Sequence, residues 1–226
     1  MSLLIKSLGY KRKRLICIAE ERNSDRVLEV RRHYTISLMP VLEESMVFLE
    51  KIGFNFHTSR NYGYSHGNQQ AFKIAPGNKG RNISVLTPIS IRGLLSFKII
   101  SGPSNWKKFV EFIENDLKPH LRENENILMM DNAKFHKCNI VLNIIRQLRL
   151  TYKFLPPYSP QLNPIEEFVS KLKAMYNNDS ARPSNNDELR EKISNAIITA
   201  GSSEMNCFFR NMKVWLERAL QKSQFI

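Results

Sequence analysis

Three acidic residues of this chain stand where carboxylates could do chemistry. The apolar run MVFLE ends at Glu50, the run ILMM is followed by Asp131, and the proline-rich segment FLPPYSPQLNPIEEF delivers Glu166. An acid at the end of a buried strand is costly unless it is paired or bound to a cation. Three carboxylates that converge would repel one another near neutral pH unless cations bind between them. The pattern predicts a metal site formed by Glu50, Asp131 and Glu166.

The chemistry of such a site is phosphoryl transfer. Mg²⁺ and similar hard cations such as Mn²⁺ take oxygen ligands and leave positions for water and phosphate oxygens. Two such ions about 4 Å apart can activate an attacking oxygen and stabilise the leaving one. The chain carries 34 Lys and Arg against 21 Asp and Glu, a net charge of +13, which favours nucleic acid as the partner. Charge alone would fit a protein with a basic surface equally well.

Glu166 also has a purely structural explanation. Asn163 can cap a helix, Pro164 suits the first helical position, and Glu166 stands where a capping-box carboxylate reaches back to the cap. Taken alone, these residues favour a helix start. The two other acids make a cluster of three carboxylates the preferred interpretation.

Basic residues are concentrated in one part of the sequence. No Asp or Glu occurs from Lys51 to Val110, whereas nine Lys or Arg do. Residues 58–82 of this stretch mix Gly, Asn and Tyr with basic residues, a composition typical of a flexible loop that contacts phosphates. The residues predicted to bind DNA are Arg60, Lys73, Lys79 and Arg81.

The elements that would position these residues alternate along the chain. Two β-rich runs, at 81–90 and 93–102, are expected as antiparallel neighbours of the first strand. A further strand is expected from residue 151. Apolar spacing predicts helices over 106–117, 133–149, 164–176, 185–200 and 203–221. This order indicates an α/β fold with a mixed sheet and helices on both faces, whose functional crevice lies beyond the carboxyl ends of central strands.

Two sequence motifs resemble those of Tc/mariner-type transposases. The segments MMDNAKFH and FLPPYSPQLNPIEEF are similar to the segments that carry the last two catalytic acids in this DDE group. In this chain, 34 residues separate Asp131 from Glu166. The segment VFLEKIGFN resembles the region of the first acid. Its Gly-Phe-Asn, residues 53–55, aligns Glu50 with the first catalytic Asp of the family and Lys51 with a following Glu. Glu43 and Glu44 are weaker candidates for the first acid, because they lack the Gly-Phe-Asn context.

The resemblance implies an RNase H-like fold and a function. A DDE transposase uses two Mg²⁺ or Mn²⁺ ions to cleave a DNA strand at a transposon end and to join the freed 3′-hydroxyl to target DNA. Glu50 and Lys51 depart from the family pattern and put activity in question. One alternative is a catalytically inactive, transposase-derived DNA-binding protein. Another is a nuclease of RNA–DNA hybrids with the same fold, which the SPQLNPIEE segment disfavours.

Two residues close to Asp131 are expected beside the metal ligands. Asn132 follows it directly, and His136 lies five residues on, where related sequences often have His. A role for His136 in contacting DNA or in supporting a ligand is one interpretation. A histidine on the surface of a helix is the other.

The sequence divides into three parts. Residues 1–40 resemble the basic linker that follows the family's helix-turn-helix region, residues 41–180 form the catalytic domain, and residues 181–226 form C-terminal helices. The expected partner is double-stranded DNA, both transposon ends and target, with a homodimer left open. No membrane or small-molecule partner is expected, since no apolar stretch is long enough to span a bilayer. The nucleus is expected as the location in a eukaryote, and the cytoplasm otherwise.

Overall fold

A mixed sheet of six strands lies at the centre of the fold. The computed structural model describes residues 17–54, 66–67, 83–102, 105–179, 183–201 and 205–225. The strands are β1 Met46–Phe54, β2 Ile83–Ser90, β3 Gly93–Leu94, β4 Lys98–Ser101, β5 Ile127–Met130 and β6 Thr151–Phe154. The path through the sheet is β3-β2-β1-β5-β6, and β4 also pairs with β2. β1 is antiparallel to β2 but parallel to β5, which is parallel to β6.

Helices cover both faces of this sheet. They are α1 Asp25–Leu38, α2 Trp106–Phe112, α3 Asn139–Gln147, α4 Pro164–Asn178, α5 Asn186–Gly201 and α6 Asn206–Leu220. α2 and α3 contribute to a core with Val47 and Leu128, whereas the other four helices share a second core with Phe48 and Met129. The predicted arrangement of a mixed sheet between helices is confirmed. Among the described residues, no helix combines the length and the apolar character needed to cross a membrane.

The pleat of the strands decides which face each acid takes. Val47 and Leu49 of β1 belong to one core and Phe48 to the other, as expected for side chains that alternate along a strand. Phe48 lies opposite Met129 of β5 in the parallel register. Glu50 and Asp131 lie two residues after Phe48 and Met129. By the same alternation, they are placed on the face of the sheet that α4 covers.

The structure corrects three expectations about the elements. β1 does not end at Glu50 but continues to Phe54, because residues 50–54 go on pairing with β2. The β-rich run at 93–102 pairs with β2 rather than with the first strand. The helix expected over 133–149 begins only at Asn139, since a turn at residues 134–137 precedes it.

Candidate active site

A crevice of about 550 Å³ opens beyond the carboxyl ends of β5 and β6. Its walls are the loop after β5, the proline-rich loop after β6 and the first turn of α4. Side chains around it include Asp131, Asn132, Lys137, Tyr158, Asn163 and Glu166. The structure therefore brings together the second and third predicted acids, although 34 residues separate them in the sequence.

Asp131 is fixed by the turn that follows it. Its Oδ1 accepts a hydrogen bond from the backbone N–H of Ala133 at 3.0 Å and lies 2.7 Å from Nδ1 of His136. The contact with His136 is close, but neither ring nitrogen makes a well-aligned hydrogen bond to the described residues. This contact is the main reason why the pKa of Asp131 lies below its ordinary value. Asp131 is therefore ionised and held in one orientation.

The two residues expected beside Asp131 both contact this part of the site. His136 is only 2% exposed and packs between the rings of Phe109 and Phe135, with centroid distances of 4.5 and 4.1 Å. It is therefore not a histidine on a helix surface. Asn132 lines the crevice, and its Nδ2 donates to the carbonyl of Leu155 at 2.6 Å. This bond ties the loop after β5 to the end of β6.

Glu166 occupies the first turn of α4, which begins at Pro164 as predicted. The capping box is absent, however: the Asn163 side chain makes no cap hydrogen bond, and its Oδ1 is buried without a partner among the described residues. Glu166 instead lines the crevice. Burial raises its pKa, the charge of Lys173 opposes this shift, and Asp131 adds to it. The helix start thus positions Glu166 without using its side chain as a cap.

Glu50 lies inside β1, opposite the fully buried Thr87 of β2. Its Oε1 accepts a hydrogen bond from the backbone N–H of Lys51 at 3.1 Å. Burial raises the pKa of Glu50 to about 7, and the charges of Asp131 and Glu166 contribute in the same direction. The three predicted acids therefore interact electrostatically, even though Glu50 does not line the crevice itself.

The weaker candidates for the first acid lie elsewhere. Glu43 belongs to a short 3₁₀ helix before β1, and its Oε1 lies 2.7 Å from Nζ of Lys213 on α6. Glu44 is exposed in the same turn. Lys51, the base that departs from the family pattern, is exposed. This placement favours Glu50 over Glu43 as the first acid of the site.

The donor set fits a hard divalent cation. Three carboxylates supply oxygen ligands. Burial raises the pKa of Glu50, and the negative charges of Asp131 and Glu166 add to this shift. Within the part of the chain that the structure describes, no group of three or more His, Cys, Asp or Glu side chains is arranged to hold an ion. Binding would therefore require the carboxylates to draw closer, and Glu50, Asp131 and Glu166 as joint ligands stay a prediction.

Two further residues of the crevice were not singled out by the sequence. Lys137 brings a positive charge to its wall, and Tyr158 has a left-handed backbone, with φ of 53°, and a half-exposed ring. Tyr158 lies within the second motif, and Lys137 directly follows the first, MMDNAKFH. The predicted DNA-binding residues Arg60, Lys73, Lys79 and Arg81 lie outside the described residues, and their role stays a prediction.

The substitution Glu50→Gln is expected to stabilise the metal-free protein above pH 7. Because its folded pKa of about 7 exceeds the ordinary value of 4.5, the folded state binds the proton more tightly, and stability falls as pH rises from 4.5 to 7. Glutamine removes this loss, on the order of 3 kcal/mol at pH 8. Urea unfolding with EDTA at pH 5 and pH 8 measures it, with Glu44→Gln as the exposed control. An equal effect of Glu50→Gln at both pH values would contradict the assigned shift.

The fold and crevice together define an RNase H-like domain with an acidic site beyond the carboxyl ends of its parallel strands. The family model described as DDE superfamily endonuclease matches residues 45–190, more than half of the chain. The chain belongs to this DDE superfamily of endonucleases. A search of curated protein sequences found no match.

Solved structures of the Mos1 mariner transposase share the fold. The paired-end complex with Mn superposes with a TM-score of 0.76 at 16% identity, over 98% of this chain and 68% of that one. The strand transfer complex gives 0.77 at 15% identity, over 100% and 70% of the two chains. The isolated catalytic domain gives 0.64 at 13% identity, over 94% and 100%. These likenesses confirm the RNase H-like fold expected from the Tc/mariner motifs.

Proposed function

We propose that this chain is the catalytic domain of a DDE transposase that cleaves and joins DNA strands with divalent cations. The observation that carries the proposal is the meeting of Asp131, at the end of β5, with Glu166, in the first turn of α4, in one crevice. Glu50 is close enough for both acids to raise its pKa. The family model and the Mos1 complexes with transposon ends support the same function.

Each part of the site has a role in this proposal. We propose that two Mg²⁺ or Mn²⁺ ions are held by Glu50, Asp131 and Glu166. When bound, such ions would stabilise the negative charge that develops during phosphoryl transfer. His136 and the N–H of Ala133 keep Asp131 ionised and oriented. The proline-rich loop and Pro164 fix where the first turn of α4 begins.

The partner in this proposal is double-stranded DNA. The net charge of +13 supports non-specific contact with phosphates, and the crevice itself presents Lys137. We assign further interactions with the DNA backbone to Arg60, Lys73, Lys79 and Arg81.

Replacing these four residues together with serine is expected to make the binding of duplex DNA less sensitive to salt. The slope of log affinity against log salt should become shallower by about 3 to 4, because each phosphate that the protein neutralises contributes about 0.9 to that slope. A fluorescence titration over a series of salt concentrations measures it. An unchanged slope would place DNA binding elsewhere.

Catalysis is tested by nicking of supercoiled plasmid DNA in Mn²⁺, Mg²⁺ or EDTA. Relaxed plasmid that forms only with a cation supports the proposal, and covalent joining of a 3′-hydroxyl end to plasmid extends it to strand transfer. DNA binding without nicking in any cation would support the second candidate, a catalytically inactive DNA-binding protein. The observation that favours this candidate is Glu50, a glutamate at the position where the family pattern has its first catalytic aspartate.

A further inference from the structure

Arg31 on α1 is the largest of the fully buried side chains in the described part of the protein, with 0% exposure. Burial, and to a lesser extent the charge of Arg22, lower its pKa to about 10, so that the guanidinium is still charged at neutral pH. A buried charge is expensive unless it is well bonded. Its partners should therefore show what it stabilises.

The guanidinium of Arg31 joins three segments that are far apart in the sequence. Nε donates to Ser159 Oγ at 2.7 Å, and Nη2 donates to the carbonyls of Tyr158 at 2.9 Å and Arg22 at 2.7 Å. Nη1 donates to Asn23 Oδ1 at 3.2 Å. The guanidinium carbon also lies 4.2 Å from the ring centroid of Phe225, near the C-terminal end of the chain.

All of these acceptors are neutral oxygens. Among the described residues, no carboxylate forms an ion pair with Arg31, although pairing would repay part of its desolvation. An apolar side chain in this position would fill the space at lower electrostatic cost. The bonds of Arg31 are thus better explained by the segments they fix than by a gain in overall stability.

Two of those bonds fix the proline-rich loop of the candidate site. Tyr158 has a φ of 53°, a left-handed conformation that a residue with a side chain adopts at a cost, and its carbonyl is held by Arg31. Ser159 Oγ accepts from Arg31 and donates to the carbonyl of Pro157 at 2.8 Å. A single 3₁₀ turn, Pro160–Leu162, then connects this anchored point to the start of α4.

We propose that Arg31 is a positioning residue for Glu166, acting through the anchored pair Tyr158–Ser159. This inference rests on the proposed function, because it takes Glu166 as a metal ligand. Arg31 does not line the crevice, and it contacts neither DNA nor metal in this role. It fixes the direction in which α4 starts and hence where the Glu166 carboxylate points into the crevice.

The test compares Arg31→Met with Arg32→Met, the neighbouring arginine, whose side chain is 41% exposed and pairs with Glu29. Hydrogen–deuterium exchange of peptides spanning residues 155–163 is expected to be at least about tenfold faster in Arg31→Met, while exchange in β1 and β5 stays unchanged. The affinity for Mn²⁺, measured by electron paramagnetic resonance, should fall by about tenfold to a hundredfold, the range for partners that orient metal ligands. Arg32→Met should match the wild type in both measurements.

Two milder variants keep the test decisive if Arg31→Met does not fold. Ser159→Ala removes one acceptor of Arg31 and is expected to show part of both effects. Ser159→Thr keeps the hydroxyl and should match the wild type in loop exchange and in Mn²⁺ affinity. Loop exchange and Mn²⁺ affinity that do not change in Arg31→Met and Ser159→Ala would overturn the proposal. Faster loop exchange with unchanged Mn²⁺ affinity would also overturn it, because Arg31 would then stabilise the loop only. Absence of Mn²⁺ binding by the wild type would contradict the proposed function instead, and loop exchange would still decide whether Arg31 anchors the loop.

Discussion

Replacing Asp131 or Glu166 with alanine is expected to reduce metal-dependent nicking of duplex DNA by at least about a hundredfold, since even groups that merely orient metal ligands are worth tenfold to a hundredfold. Each replacement removes a carboxylate from the crevice in which the two acids meet. DNA affinity should stay equal or increase, because a negative charge leaves a surface that faces phosphates. Plasmid nicking in Mn²⁺ and a binding titration in EDTA measure the two effects separately.

Glu167→Ala is the matched control for this experiment. Glu167 follows Glu166 in the same helical turn, but its Oε2 accepts a hydrogen bond from Asn211 of α6 at 3.0 Å and it does not line the crevice. The Glu167→Ala variant should therefore nick DNA at the wild-type rate. If Asp131→Ala and Glu166→Ala cleave as well as Glu167→Ala, the site is assigned wrongly and Glu166 serves only the start of α4.

The variant Glu50→Asp is expected to raise nicking by roughly tenfold or more. Glutamate carries one more methylene than the aspartate of the family pattern and moves the carboxylate about 1.5 Å, a bond length. Misplacement by about 1 Å can cost on the order of a hundredfold in rate. For the same reason the wild type should be more active with Mn²⁺ than with Mg²⁺, which demands near-ideal octahedral geometry. Initial nicking rates in the two cations measure both effects.

Glu43→Asp is the control for the choice of the first acid. Glu43 pairs with Lys213 away from the crevice, so shortening it should leave nicking unchanged. An increase in this variant would show that the first acid has been misaligned by seven residues. A decrease in Glu50→Asp, in a wild type that cleaves well, would show that the site has adapted to glutamate.

The sequence alone was sufficient for the parts of the site whose signals are local. A short apolar run followed by Asp131, and four prolines before Glu166, predict a strand end and a rigid helix start from adjacent residues only. The start of α4 at Pro164 and the mixed sheet between helices agree with those signals. The same pattern led to the expectation that the acids meet, and the family resemblance added the RNase H-like fold and the transposase function.

Tertiary structure decided the features that depend on distant partners. β1 runs past Glu50 because β2 supplies hydrogen bonds up to Phe54. The residue types within β1 do not predict that pairing. The turn before α3 is likewise held by contacts with Asp131 and the rings around His136. In the sequence, Arg31 cannot be distinguished from a surface arginine of a charged helix. It is buried only because the proline-rich loop and Phe225, near the C-terminal end, pack against it in the folded chain. Burial and pairing are properties of segments that meet only in the folded chain, and a local pattern of residue types does not encode them.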